Sequence, residues 1–181
     1  MRTLVTIFTT LVSLSAFAGT GDVDSSQGIQ SVRKSLYTDL TKDCVVVAAA
    51  TDKAPIDFYE SECKAFGGYR LKITGSDLRY HPELYFGDKK IEIETPMSFH
   101  DTASAKIEWV YGHAIDAEGA GQLEWKGLIY RLNYTNPEDP EKNINTLYVV
   151  RLDGAKSCLV GTTQSNTKAR EMAFNSKPGC K

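Results

Sequence analysis

Three kinds of residue in this chain could do chemistry, and the cysteines have the most telling spacing. There are four, Cys44, Cys63, Cys158 and Cys180. Zinc sites place two ligands roughly two to four residues apart, and thiol redox centres use Cys-x-x-Cys; neither spacing occurs here. An even, widely spaced count fits disulfides, provided the chain is exported. Four cysteines can pair in three ways. Locality in the chain favours Cys44–Cys63 and Cys158–Cys180. Each bridge would close a loop of about 20 residues, worth about 3 kcal/mol in the chain-entropy model.

Carboxylates come next. Two acids about 5 to 10 Å apart across a cleft would suit glycoside hydrolysis. Asp77, Glu92, Glu94, Glu108 and Glu124 are the candidates on or near strands. Most alternate with apolar residues, which is the pattern of a solvated sheet face. His81, His100 and His113 show no i, i+2 or i, i+4 pair to start a metal site. No serine stands in Gly-x-Ser-x-Gly. Each cysteine already has a disulfide role, so a cysteine nucleophile gains no support. The sequence assigns no catalytic residue, no metal ligand and no cofactor. Whether the chain is an enzyme stays open, with binding ahead of catalysis.

The binding candidates are Asp77, Arg79, Tyr80, Tyr85 and Phe86. Asp77-Leu78-Arg79 follows an expected turn at Thr74-Gly75-Ser76. In an extended segment the acid and the base point the same way. They would either recognise a charged partner or fix the turn through internal salt bridges. Tyr80, Tyr85 and Phe86 lie in a loop-like stretch, RYHPELYFGD, and are expected to be exposed. Trp109, Tyr111, Trp125, Tyr130, Tyr134 and Tyr148 offer material for a sugar or peptide platform. Their alternation places most of them in the core.

These residues need elements to position them, and the first element is an address. Arg2, the uncharged run Leu4 to Leu14 and Ala16-Phe17-Ala18 read as a signal peptide over 1–18, cut after Ala18. The run is too short for a membrane span, which needs about 20 apolar residues. No second long apolar segment follows. The product is expected to be periplasmic or secreted. Cleavage removes Arg2 and no acid, moving the formal charge from −2 to −3. Such a chain lacks the basic stripe of a nucleic-acid binder.

Residues 19–31 read as a flexible leader and 32–181 as one disulfide-braced, β-rich domain. Cys44-Val45-Val46-Val47-Ala48 suits a strand covered on both faces, paired with Ile56 to Cys63. Tyr69, Leu71 and Ile73 alternate with polar residues, as do Ile91 with Ile93 and Ile107 with Trp109. That period of two marks half-buried strands. From Gln122 to Tyr134 the apolar phase flips at Lys126-Gly127, which predicts a β-bulge or bend. Asp116 to Gly121 reads as a hairpin loop, Asn136 to Thr146 as a polar surface loop, and Asp153-Gly154-Ala155 as the turn of a closing hairpin. A helix capped by Asn166 or Thr167 carries Ala169, Met172 and Ala173 on one face. A weaker helix is expected over Ser31 to Leu40. The fold class is mainly β (α+β): an antiparallel curled sheet, half-barrel or sandwich, with a short C-terminal helix.

Ser35-Leu36-Tyr37-Thr38-Asp39-Leu40, Cys44, Cys63, Gly67-Gly68, Asp77-Leu78-Arg79, Ile107-Glu108-Trp109 and Ser157-Cys158 together resemble a group of small exported proteobacterial proteins of unknown function. The resemblance implies a Gram-negative periplasm and supports two disulfides. It implies no activity or site. The expected role is a non-enzymatic binding or inhibitor module acting on a protein or cell-envelope component. The alternatives are an envelope-polymer hydrolase with paired carboxylates and a structural envelope accessory.

Overall fold

The computed structural model describes residues 30–51, 54–99, 105–115 and 121–177. The leader read at 1–18, most of 19–31, His100, residues 116–120 and Cys180 lie outside the described residues. The described strands are β1 (Gln30–Asp39), β2 (Cys44–Thr51), β3 (Ala54–Cys63), β4 (Tyr69–Ser76), β5 (Arg79–Phe86), β6 (Lys89–Ile91), β7 (Ser98–Phe99), β8 (Lys106–Ile115), β9 (Gly121–Asn136), β10 (Asp139–Arg151) and β11 (Cys158–Thr163). A helix, α1 (Asn166–Asn175), follows them. The strands form two antiparallel sheets. One runs β1-β8-β9-β10-β11; the other runs β2-β3-β4-β5-β6, with β7 beside β5.

Period-two alternation builds the interior between the sheets. Leu71, Ile73, Tyr80 and Leu84 come from one sheet, and Ile107, Trp109, Leu128, Tyr130, Leu132 and Val150 from the other. Trp109 is the largest fully buried side chain. Its indole N–H donates to Thr38 Oγ1 at 2.9 Å, and Thr38 Oγ1 donates to the Lys64 carbonyl at 2.7 Å. This relay satisfies two buried polar groups and ties the sheets together. Trp125, Tyr134, Tyr148 and Tyr130 also pack on this core, as their alternation predicts.

The phase flip in β9 is a bulge. Val110 pairs with Gly127 and Tyr111 with Trp125, which leaves Lys126 as the extra residue. The glycine is there for a different reason from backbone freedom, because Gly127 does not have a positive φ. A Cβ at this position would stand 2.5 Å from the Ala173 Cβ of α1. Gly127 therefore lets the helix seat on the outer face of the five-stranded sheet. There Val110, Ile129, Leu147, Val149, Ala169 and Ala173 form a second, smaller core. Ser165 caps the helix by accepting from the Lys168 N–H, one residue before the expected caps.

The Cys44–Cys63 disulfide is present and joins facing residues of β2 and β3. Cys158 is also disulfide-bonded.

Four sequence expectations are corrected. The segment Ser31 to Leu40 is strand, not helix, since β1 pairs residue for residue with β8 from Gln30 to Asp39. Its helical propensity is weak, and the ladder supplies the backbone partners. The polar stretch Asn136 to Thr146 is the tip and return of a long hairpin. Asn136 Oδ1 accepts from the Glu138 N–H at 3.0 Å, and β10 begins at Asp139 with a bulge. Its polarity reflects a hairpin end beyond the core. Val45, Val46 and Val47 are 70, 62 and 52 % exposed, because β2 is an edge strand and not a covered one. Of the expected strand through Ile91 and Ile93, only Ile91 is strand.

Candidate functional site

The residues singled out from sequence do not converge. RYHPELYFGD is not loop-like; most of it is β5, so its side chains alternate between faces. Tyr80 is 2 % exposed and points into the core, with its hydroxyl donating to the Arg131 carbonyl. Tyr85 is half-buried on the opposite face and donates to Glu83 at 2.7 Å. Phe86 is 38 % exposed, as expected, and leans on Tyr69, ring centroids 5.0 Å apart. The turn falls at Asp77-Leu78, both with positive φ (48° and 60°), and not at Thr74 to Ser76. Asp77 and Arg79 therefore do not share a strand face, and Arg79 lies over the Phe99 ring. A turn with two positive-φ residues suits a two-residue hairpin, which explains the tight β4–β5 connection.

The acids are dispersed as well. Asp77, Glu92, Glu94 and Glu124 are exposed, and Glu124 pairs with Lys126. Glu108 departs from the solvated-face expectation and is 7 % exposed. No group of three or more His, Cys, Asp or Glu among the described residues could hold a metal ion.

Glu108 leads to the one site that the fold assembles. Strand β8 turns Ile107 and Trp109 inward, so Glu108 and Val110 face outward, toward α1. Arg170, one turn into the helix, meets Glu108 with two bonds: Nε to Oε1 at 2.6 Å and Nη2 to Oε2 at 3.1 Å. Ser35 of β1 donates to the same carboxylate. The Tyr37 hydroxyl accepts from Arg170 Nη2 at 3.2 Å. The bond to Glu108 is the main reason that the Arg170 guanidinium holds its proton even more tightly than usual. A forked pair of this kind fixes the guanidinium plane as well as its charge. Among the described residues these bonds engage Nε and Nη2 and not Nη1, and the Arg170 side chain is 45 % exposed.

Two hollows flank this arginine. One, of about 210 Å³, is lined by Tyr37, Lys106, Glu108, Arg131, Asn166 and Arg170 with an apolar floor of Ile129 and Leu147. The other, of about 540 Å³, runs between β1 and the helix past Arg33, Lys34, Ser35, Thr167 and Phe174. They share Tyr37 and Arg170, so they form one groove with the guanidinium at its saddle. Five cations line it against two acids, Glu108 and Glu171, in a chain of net charge −2. Arg131 donates to Asn145 at 2.7 Å and reaches Asn166 at the start of α1. Arg33 lies 4.9 Å over the Phe174 ring. The groove is therefore held in shape from β1, β8, β9 and α1 together.

Sequence reasoning missed this site. One signal was present: Glu108 shares its strand face with Val110, an apolar residue where a fully solvated face would carry a polar one. Its partner lies 62 residues later.

No protein family, characterised protein or solved structure matches the chain in comparison with known proteins. The groove's own chemistry must carry any functional reading.

Proposed function

We propose that this chain is an exported, non-enzymatic binding or inhibitor module. It grips an anionic group of a protein or other cell-envelope component in the groove beside α1. The observation that carries this reading is Arg170, oriented by a nearly buried carboxylate and flanked on both sides by further cations. A pre-oriented guanidinium binds carboxylate or phosphate with less entropy loss than a free side chain. The signal-peptide reading of 1–18, the disulfides and the resemblance to small exported proteins support an extracytoplasmic location. Arg170 and Ser35 engage the Glu108 carboxylate, which makes it an ion-pair partner more than a free general acid and favours binding over paired-acid hydrolysis.

Calorimetric titration of chain 19–181 with glutamate-rich peptide, polyuronate and inorganic phosphate tests the reading. Saturable binding to at least one anion is expected, weakened by added salt and lost in Arg170→Ala. No binding to any of the three, or binding that Arg170→Ala leaves intact, overturns it. Export is tested separately by fractionating cells that express the full chain. The expected product begins at Gly19 outside the cytoplasm.

A further inference from the structure

We infer that the groove's occupant is an extended acidic peptide of a partner protein, which adds to β1 as a further strand of the five-stranded sheet. This rests on the anion-binding reading above and specifies its ligand. The first support is topological. β1 stands at the end of its sheet and pairs only with β8 among the described residues. In an antiparallel ladder alternate residues of an edge strand turn their N–H and C=O away from the sheet, and these groups template an incoming strand.

The second support is regularity. β1 keeps register with β8 from Gln30 to Asp39 without a bulge, and it contains no proline. The edge of the other sheet is different. β2 shifts register twice against β3, between Val46 and Ala48 and between Ala49 and Thr51. Bulges are a common way to disable an edge. Here they occur on the apolar edge, and the cationic edge is left smooth.

The third support is charge. Between Gln30 and Tyr37, β1 carries Arg33 and Lys34 and no acid. Arg33 shares its strand face with Tyr37, whose hydroxyl meets Arg170, and lines the groove; Lys34, paired with Tyr111, lies on the other face of β1. An added strand with acidic residues on the α1 side would set its carboxylates beside Arg33 and Arg170, and an acid on its other face would meet Lys34. A second copy of β1 would bring Arg33 and Lys34 against like charges, which disfavours self-pairing. A glycan is the weaker match, because sugar recognition calls for a broad open aromatic platform: Tyr37 is exposed in the groove, but Phe174 is covered by Arg33, and Trp109 and Trp125 pack on the opposite side of the sheet.

The test uses chain 19–181 and a fluorescent peptide alternating glutamate and threonine. Two derivatives are N-methylated at alternate residues, one in each phase, with charge and composition otherwise equal. The parent peptide is expected to bind. One N-methylated phase should lose roughly tenfold or more in affinity, because its outward N–H groups are the ones the ladder uses, and the other phase should bind as the parent does. Hydrogen exchange at β1 should slow on binding. The double variant Arg33→Glu, Lys34→Glu should bind the parent peptide at least about tenfold more weakly while keeping its β-sheet circular dichroism. If that variant does not fold, the peptide series on the unaltered chain decides alone. Equal binding of both N-methylated phases overturns strand addition but leaves anion binding in place. Binding of polyuronate and not of the peptide overturns the peptide assignment. Failure of every anion overturns the groove reading itself.

Discussion

The inner face of the five-stranded sheet presents Ile107, Trp109, Leu128, Tyr130 and Val150 to the second sheet. The outer face of the same strands presents Glu108, Val110, Ile129 and Arg131 to one short helix and to solvent. The inner face is continuous and aromatic. Its polar atoms are largely internal, as with the Trp109–Thr38–Lys64 relay. The outer face is half core and half groove. A ten-residue helix covers part of it and leaves a charged margin toward β1. A sheet has two faces to cover, and a helix much narrower than the sheet cannot cover one of them. The uncovered strip is where a charged site can form without disturbing the interior.

The contrast can be broken most severely from the inside. Trp109→Ala should cost about 3–5 kcal/mol, because it empties the largest buried site and leaves Thr38 without its donor. Urea denaturation measures this, and a loss below about 1 kcal/mol would mean that the inner face is not the main source of stability. Gly127→Val attacks the outer core. The new side chain collides with Ala173, so α1 should shift off the sheet at a cost of about 1–3 kcal/mol. Near-ultraviolet dichroism and anion binding should both change, and the inner core should survive. If peptide binding is unaltered in this variant, the helix does not shape the groove.

Arg170→Ala sharpens the comparison from the other direction. The arginine is half exposed but its removal leaves the nearly buried Glu108 carboxylate with Ser35 alone, so it should cost about 1–3 kcal/mol of stability, less than the loss of Trp109. Anion binding should nonetheless fall below detection. A large stability loss with intact binding would reverse the roles given to the two faces. The smallest effect concerns pH and the outer face of the second sheet. His81 is half-buried on β5 beside Thr95, and burial pushes its imidazole below the usual histidine value. The unfolded chain therefore takes up this proton first as pH falls. The contribution is full above the unfolded value of about 6.5 and is lost as pH falls through the depressed folded value. Denaturation midpoints of the native chain and His81→Gln should converge above neutrality. In mild acid the native chain should lose the stability that His81→Gln retains.

Much of the sheet architecture was legible because alternation is a local property. Tyr69-Leu71-Ile73 and Ile107-Trp109 announce their buried faces within a few residues, and the phase flip before Leu128 announces a bulge. The Cys44–Cys63 bridge was legible because it closes a local hairpin. β1 was not, since polar residues at Arg33, Lys34 and Ser35 carry no strong period, and its conformation is supplied by pairing with β8 far along the chain. Val45 to Val47 misled for a related reason: a β-branched run reads alike in a central strand and at an edge. The candidate site was the least legible part. Phe86 is exposed as expected, but Tyr80 and Tyr85 looked exposed too, because a proline and several polar residues surround them. Pairing with β4 made that stretch a strand and turned Tyr80 inward.

By itself the sequence determined the β-rich class, the pairing of two cysteines across a local hairpin, the position of the bulge and the apolar stripe of α1. Each follows from residues close in the chain, where steric preference and side-chain period act directly. Only the tertiary structure decided which strands became edges, why residue 127 must be glycine, and that Glu108 meets Arg170 between two hollows. Those outcomes depend on strand order and helix docking. Both are set by the summed burial of many distant side chains, and no short window of sequence carries that sum.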